Sequence, residues 1–196
     1  MIPTDLPQLL ELIRANGDAA YAFLFSYAAA NSLLVVLFAG YAAHLGALDW
    51  TKVFLVCWAG SFAGDAFRFW IGRRYGARLL KSFPRFERAV MMVVRLVERH
   101  VVLVLLVHRY PHGIRGVAGF ACGIGNVPVA TFLAINAVSA GLWAGLVAAT
   151  GYGFGHLSDK VLGDAASGLS AVSLLVFLAL FWLLSKKLER AVETKT

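Results

Sequence analysis

The amino-acid sequence predicts an all-α integral membrane protein with a single domain, residues 1–196. We expect an inverted repeat of two re-entrant helical hairpins, each followed by a transmembrane helix. Amphipathic helices and a C-terminal transmembrane helix complete the predicted fold. Composition favours it, because 60% of the residues are hydrophobic and 15% are charged, against about 45–50% and about 25% in soluble domains. The apolar residues also form long runs, and these runs recur in the same order.

The first half of the chain contains a short amphipathic segment followed by two apolar runs. Residues 5–17 place leucines at helical spacing opposite acidic and polar residues, which predicts an amphipathic helix on the membrane surface. Residues 19–47 lack Asp, Glu, Lys and Arg but are interrupted at Asn31 and Ser32. They form either one span or two half-length helices, and we predict the second arrangement, a re-entrant hairpin. Residues 52–72 are long enough to be a transmembrane helix.

The second half begins with a basic segment and then repeats the order of apolar elements. Residues 73–99 contain many arginines, few acids and a narrow stripe of valines, which is typical of a basic amphipathic connector on the cytoplasmic side. Residues 101–125 form an apolar run that is broken in its middle. Residues 128–155 predict a transmembrane helix, and residues 165–185 predict the last one.

The distribution of charges orients these segments. Residues 156–164 contain more acids than bases and indicate an external loop. The basic residues Lys186, Lys187 and Arg190 place the C-terminus in the cytoplasm. Because the basic connector is also cytoplasmic, residues 101–125 have to start and finish on that side. We therefore predict that they form a second re-entrant hairpin, since a simple span would reverse the loop and the tail.

Two glycine motifs support the duplication. GRRYG at 72–76 ends the first long span, and GYGFG at 151–155 ends the second. Each follows a broken apolar segment and a full span, and the two lie on opposite sides of the membrane in the topology above. Inverted repeats with broken helices meeting near the midplane are typical of many secondary transporters. Alternatively, the glycines serve only close helix packing.

Asp65 is the first candidate functional residue. It lies inside an apolar span, where an unpaired charge costs roughly 2.5–3.5 kcal/mol on insertion scales. Such carboxylates pair with a cation or line a pathway, so we expect Asp65 to gate a transport pathway or to carry a proton. The alternative is a purely structural salt bridge, for instance to Arg68 one helical turn further on.

Arg109 and Arg115 form the second candidate. Pro111 and its neighbours break the helix between them. Guanidinium groups donate bidentate hydrogen bonds to phosphate oxygens, and a broken helix adds unpaired backbone N–H groups. We therefore predict a phosphate or lipid-headgroup site at this break. Alternatively, both side chains extend to the cytoplasmic headgroups.

Several polar residues near the breaks are candidates for lining the pathway. Asn31 and Ser32 offer hydrogen bonds at the first break. His108 and His112 have the spacing of a metal pair, but no third ligand is visible, so we predict no metal site and assign them to the pathway lining or a proton relay. Arg73 directly follows the first long span, where it would anchor the helix at the interface or bind Asp65 or a headgroup.

The remaining composition excludes other classes. The net charge of +7 comes mostly from basic residues beside apolar runs, which indicates membrane orientation rather than a nucleic-acid partner. Cys57 and Cys122 lie in apolar surroundings and predict neither a disulfide framework nor a metal site. Hydrolase and Walker A motifs are lacking, so we expect no enzyme activity, no cofactor and no ATP-driven transport by this chain.

The motifs resemble those of the DedA family, whose shared region is also called the VTT or SNARE-associated domain. GDAFRFWIGRRYG at 64–76 is similar to the family pattern G-D-x-x-x-Y-x-x-G-R-x-x-G, with Phe69 in place of the usual Tyr. RYPHGIR at 109–115 is similar to the two family arginines six apart around Pro or Gly. GYGFG at 151–155 is similar to the closing glycines. The resemblance extends over roughly residues 20–190.

The resemblance implies two re-entrant hairpins in an inverted repeat and a role in lipid translocation. Bacterial relatives are implicated in recycling undecaprenyl phosphate and in phospholipid transport, often with the proton gradient, and eukaryotic relatives scramble phospholipids. By matching motif, Asp65, Arg109 and Arg115 inherit the essential roles. The chain departs from the family in one respect, since residues 19–47 lack the acidic residue usual in the first hairpin. This favours uncoupled scrambling over tight proton coupling.

The predicted function is therefore a flippase or scramblase that moves a phosphate-bearing lipid across the bacterial inner membrane. We expect a multi-pass protein that binds anionic lipid headgroups, with protons and self-association into a homo-oligomer as further partners. Two other functions remain open. One is a membrane scaffold or homeostasis protein that transports nothing, and the other is a small-ion or proton antiporter.

Overall fold

The computed structural model describes residue 10 and residues 13–82, 84–109, 117–125 and 127–162. All regular elements among these residues are helices, which confirms the predicted all-α class. The predicted C-terminal span, most of the N-terminal amphipathic segment, Arg115 and His112 lie outside the described residues. The helices are α1 (Gly17–Ala29), α2 (Leu33–His44), α3 (Trp50–Ser82), α4 (Pro84–Val107), α5 (Ala118–Ile124) and α6 (Val129–Leu162).

Helices α1 and α2 are joined by a sharp break at Asn31. This residue has a φ of 59°, in the left-handed region that Asn tolerates better than most side chains. The helices on either side have 13 and 12 residues, which makes them about 20 Å and about 18 Å long at the α-helical rise. They contact each other, so the chain turns back after the break.

Helix α3 is longer than the predicted span of 52–72. Its 33 residues continue into the range predicted as the basic connector. The arginines that follow residue 72 favour a helix, and Arg73 and Arg74 are exposed. The next helix begins with Pro84, which suits a first helical position because its missing N–H would have no helical acceptor there.

Helix α4 is divided by a kink at His100, where φ is −143° and ψ is 54°. The part before the kink is the predicted basic amphipathic helix. It buries the predicted valine stripe in a second apolar cluster of the protein, while Arg95 and Arg99 are exposed. The part after the kink is apolar and leads to the second break. The valines of the buried stripe are Val90, Val93, Val94 and Val97.

Helix α6 carries the clearest membrane signal. Within the described residues, one helix is both long and apolar enough to cross a membrane, over Val129–Leu157. Helix α3 has the length, but charged side chains along it lower its apolar character. The two long helices contact each other, and the indole of Trp58 donates a hydrogen bond to the carbonyl oxygen of Ala137 at 2.8 Å.

The short helix α2 packs against the C-terminal half of α6. A Cβ atom added to Gly40 would collide with the carbonyl oxygen of Ala148, and one added to Gly151 would collide with that of Leu37. The absent side chains therefore allow the two backbones to touch, as small residues do in membrane helix pairs. A helix of the first half is thus held by the long helix of the second half.

The same arrangement occurs between α5 and α3. A Cβ atom added to Gly72 would collide with the carbonyl oxygen of Phe120, and one added to Gly123 would collide with that of Phe69. The helix that follows each break therefore packs against the long helix of the other half. The GRRYG and GYGFG motifs supply corresponding glycines, Gly72 and Gly151, to these two contacts.

Two apolar clusters form the core. One gathers side chains of α1, α2 and the facing parts of the long helices, and Trp143 and Val53 are buried in it. The other gathers side chains of α4, α5 and the opposite parts of the long helices, with Phe69 and Phe132 stacked at a ring-centroid distance of 4.2 Å. Along both long helices, buried polar residues lie between these clusters, Ser61 and Asp65 on α3 and Asn136 and Ser139 on α6.

Candidate functional site

Asp65 lies at the centre of the buried polar region. It is 0% exposed. One carboxylate oxygen accepts hydrogen bonds from the side-chain amide of Asn31 at 3.2 Å and from the guanidinium of Arg68 at 2.8 Å. The other oxygen pairs with the guanidinium of Arg109 and lies 3.2 Å from Nε2 of His108. The carboxylate is therefore surrounded by side chains from both halves of the chain.

Close packing brings the first break to Asp65. A Cβ atom added to the preceding residue, Gly64, would collide with the carbonyl oxygen of Ala29. The hydroxyl of Ser61 donates a hydrogen bond to the carbonyl oxygen of Ala28 at 3.2 Å. The last turn of α1 thus lies directly on α3, and the break that follows it places Asn31 beside the carboxylate.

Arg109 connects more segments than any other side chain described in this region. It is 1% exposed. Its Nη1 donates to the side-chain oxygen of Asn31 at 3.1 Å, and its Nη2 donates to that of Asn136 at 2.7 Å while pairing with Asp65. One guanidinium therefore links the first break, α3 and α6 to the end of α4. The sequence predicted the importance of Arg109 but not these partners.

Asn136 is a site residue that the sequence did not single out. Its amide nitrogen donates to the carbonyl oxygen of Phe62 at 3.1 Å, so it joins α6 to α3 as well as holding Arg109. A lone buried amide in the apolar run 128–155 is the signal that could have found it. Arg68 was considered only as a salt-bridge partner, but it also donates to the carbonyl oxygen of Ala29 at 2.8 Å.

His108 occupies a position between two oxygen atoms. It directly follows α4, where its Nδ1 lies 2.8 Å from the carbonyl oxygen of Leu105 one turn earlier. Its Nε2 faces Asp65. We call Asn31, Asp65, Arg68, His108, Arg109 and Asn136 the polar cluster.

The other predicted site residues lie elsewhere. Ser32 is half-buried and precedes α2 without a side-chain capping hydrogen bond. Arg73 is exposed and donates to the carbonyl oxygen of Gly125 at 2.9 Å, which satisfies a carbonyl group at the C-terminal end of α5. His112 and Arg115 lie outside the described residues, so their relation to the polar cluster stays a prediction.

The described polar cluster holds more positive than negative charge. The guanidiniums of Arg68 and Arg109 face the single carboxylate of Asp65. Their accessibility differs, because the side chain of Arg68 is 25% exposed and that of Arg109 is 0% exposed. Arg68 is therefore the more accessible of the two cations in the cluster.

The sequence over residues 30–153 matches the family model of the VTT domain. The chain is a VTT-domain protein. The match includes the whole polar cluster, and it confirms the resemblance to the DedA family.

Sequence similarity to individual proteins agrees with this family assignment. The inner membrane protein YohD of Escherichia coli K12 is 31% identical over 148 residues, which are 76% of this chain and 77% of YohD. Protein DedA of the same organism is 27% identical over 165 residues, which cover 76% of this chain and 75% of DedA. The membrane protein YbfM of Bacillus subtilis is 25% identical over 108 residues, 53% of this chain and 67% of YbfM. No solved structure matches the chain.

Proposed function

We propose that this VTT-domain protein is a flippase or scramblase for a phosphate-bearing lipid, such as undecaprenyl phosphate or a phospholipid, in the bacterial inner membrane. The observation that carries the proposal is the polar cluster, in which two guanidiniums meet one carboxylate in a buried region between the halves of the chain. A lipid phosphate is an anion whose oxygen atoms accept hydrogen bonds from such guanidiniums.

The lengths of the helices support re-entrant hairpins. The hydrocarbon core of a bilayer is about 30 Å thick, whereas α1 and α2 have 13 and 12 residues and reach only about 20 Å. Neither crosses alone. Irregular backbone at membrane depth is tolerated where it is buried in protein or lines a cavity, and the buried side chain of Asn31 fits that condition.

The ends of the first hairpin also lie together. Arg14, before α1, donates to the carbonyl oxygen of Leu45, after α2, at 3.0 Å. The hydroxyl of Tyr21 accepts a hydrogen bond from the backbone N–H of Asp49 at 2.9 Å. A pair of short helices whose open ends are joined in this way enters and leaves the membrane on one side.

Exchange of carboxylate for phosphate gives the cluster a way to act. Arg68 is partly exposed and binds a headgroup first. Phosphate oxygens then compete with Asp65 for the guanidinium of Arg109, because both anions accept bidentate hydrogen bonds. When Asp65 is displaced from Arg109, the link between the first break, α3 and α6 loosens. Each half packs against a short helix of the other half. The two halves then rotate relative to each other and expose the site on the opposite side of the membrane.

Lipid flipping in proteoliposomes tests the proposal. A fluorescent phosphatidylglycerol serves as the anionic probe and a fluorescent neutral glycolipid as its uncharged counterpart. Arg109→Ala and Arg68→Ala should slow movement of the anionic probe at least about tenfold, since each removes a charged hydrogen bond worth about 1.5–3 kcal/mol. Arg74→Ala is the matched control, because Arg74 is exposed on the same helix as Arg68 and outside the polar cluster.

The results separate the alternative functions. Folded variants that flip the anionic probe as fast as the wild type contradict the phosphate site. If purified wild type moves neither lipid, the chain is a scaffold or homeostasis protein. Movement of ions without lipid identifies an antiporter. We further propose a multi-pass arrangement with a cytoplasmic C-terminus and no enzymatic turnover. The name of YohD as an inner membrane protein supports the location.

A further inference from the structure

Both ring nitrogens of His108 face oxygen atoms that accept hydrogen bonds. Nδ1 lies 2.8 Å from the backbone carbonyl oxygen of Leu105, which can only accept. Nδ1 therefore carries a hydrogen atom. Nε2 lies 3.2 Å from Oδ2 of Asp65. A neutral imidazole with its hydrogen on Nδ1 would direct the lone pair of Nε2 at a carboxylate, and two acceptors repel each other.

We propose that His108 and Asp65 together form a proton-binding site, in which one proton is held between Nε2 of His108 and Oδ2 of Asp65. The proton is bonded to one atom and hydrogen-bonded to the other, so the pair is an imidazolium beside a carboxylate or a neutral imidazole beside a carboxylic acid. Either form satisfies both oxygen atoms. Loss of the proton leaves two lone pairs in contact, and His108 then separates from Asp65.

Because this pair is buried among charged side chains, a change in its protonation state alters the electrostatic balance of the polar cluster. Asp65 and His108 are each 1% exposed as side chains, so water does not compensate a change of charge there. The charged groups facing the pair are Arg68 from α3 and Arg109 after α4. Helix α5 brings the thiol of Cys122 within electrostatic reach of Asp65. The first break and α6 contribute the neutral amides of Asn31 and Asn136 to the described cluster.

The proton site predicts the direction in which a change of pH alters the affinity for a phosphate ligand. This step rests on the proposed function. A bound proton adds one positive charge to a cluster that already contains two guanidiniums, and a bound phosphate adds negative charge. The two ligands therefore favour each other, and linkage requires that each raise the affinity for the other equally. His108 also gives Asp65 a titratable partner. A second carboxylate that could act as such a partner is lacking in residues 19–47.

Nuclear magnetic resonance of nitrogen-15-labelled histidine tests the proton site without any lipid ligand. The protein is held in nanodiscs, and the His108 signals are assigned by their loss in His108→Gln. We expect Nδ1 to be protonated, with Nε2 either protonated or accepting the hydrogen bond of the carboxylic acid. Asp65→Asn should convert His108 to a neutral ring. A neutral wild-type ring overturns the proton site if its hydrogen is on Nε2, or if Nε2 has the chemical shift of a lone pair that accepts no hydrogen bond.

Ligand binding tests the linkage. The probe is dihexanoyl phosphatidylglycerol, a water-soluble phosphodiester that stays a monoanion from about pH 6 to about pH 8, the range in which histidine commonly titrates. Wild-type affinity should fall as pH rises, by at most about tenfold per pH unit, which is the limit for one linked proton. His108→Gln should bind weakly with little pH dependence, because glutamine stays neutral.

Two further variants keep the result interpretable. His108→Lys should bind tightly with little pH dependence, because the ammonium group replaces the protonated ring permanently. His156→Gln should behave as the wild type, because His156 is exposed at the far end of α6. A wild-type affinity that does not change with pH overturns the linkage. Failure of every variant and the wild type to bind the probe contradicts the proposed lipid function, while the resonance experiment still decides the proton site.

Discussion

At the residue scale, the polar cluster shows how a charged side chain is accommodated in an apolar helix. Asp65 was recognisable from sequence because a carboxylate inside an apolar span is costly. Its partners come from the first break, from α3 and from the two residues that follow α4, and most are remote in sequence. The local salt bridge to Arg68 is present, and Arg109 from the second half also pairs with Asp65.

Asn136 provides a test of the cluster as a hydrogen-bonded unit. Asn136→Ala removes the acceptor for Arg109 and the donor to the carbonyl oxygen of Phe62. Leaving buried groups unsatisfied costs about 1–3 kcal/mol each, so we expect a lower free energy of unfolding by about that amount and slower movement of anionic lipid. Denaturant titration of the protein in detergent micelles measures the first effect.

Thr150→Ala is the matched control for Asn136→Ala. Thr150 is exposed on the same helix, and its hydroxyl bonds only within the helix, to the carbonyl oxygen of Leu146. Its replacement should change the free energy of unfolding by no more than about 0.5 kcal/mol. Equal effects of the two substitutions would show that Asn136 does not hold the cluster together.

At the element scale, glycines decide which helices touch. The order of broken and long segments was readable from sequence, and so was the recurrence of glycine motifs at 72–76 and 151–155. Their partners were not, because a glycine indicates close approach without naming the opposing backbone. The structure pairs each motif with the helix that follows the break in the other half. This exchange explains how each short helix is held although neither is long enough to be stable alone.

Gly40→Ala tests the contact between α2 and α6. The new Cβ atom would collide with the backbone carbonyl of Ala148, which cannot rotate away as a side chain would. Overpacking of this kind costs about 1–3 kcal/mol, so we expect a lower unfolding midpoint in a thermal melt and slower lipid movement.

Gly153→Ala is the control for that substitution. No atom outside its own helix neighbourhood lies within 4 Å of the added Cβ. Alanine is a better helix former than glycine by up to about 1 kcal/mol, so this variant should be as stable as the wild type or more so. If Gly40→Ala melts like Gly153→Ala, the two backbones do not approach as closely as described.

At the scale of the whole molecule, the proposed membrane topology depends on how the two halves are arranged. In the proposed re-entrant first hairpin, α1 begins on the side of the membrane where α2 ends. The end of α2 lies beside the C-terminal part of α6, because the ring centroids of His44 and Tyr152 are 5.1 Å apart. The start of α1 and the end of α6 are therefore on the same side. The amphipathic part of α4 then belongs to the opposite, cytoplasmic side. In a topology with four simple spans, the first residues would be exposed on the other side of the membrane.

Single-cysteine labelling in intact cells checks the topology. Cys57 and Cys122, both buried, are first replaced by alanine. An impermeant maleimide should label Gly17→Cys and Leu157→Cys from outside and should label Met92→Cys only after the membrane is opened. Met92 and Leu157 are exposed, and Gly17 has room for a side chain. Labelling of positions 17 and 157 from opposite sides would contradict the re-entrant hairpin.

The sequence alone determined the all-α class, the order of the segments and the break at Asn31, and it singled out Asp65 and Arg109 as candidate site residues. These features are local or compositional, since hydropathy, helix-breaking residues and a misplaced charge can each be read along the chain. Only the tertiary structure brought His108 to Asp65 and Asn136 to Arg109 and assigned each glycine motif its partner. A single amide or histidine in an apolar run has many structural uses, and only packing decides which atoms it meets. The contacts within the cluster and its proposed shared proton are therefore properties of the assembled halves.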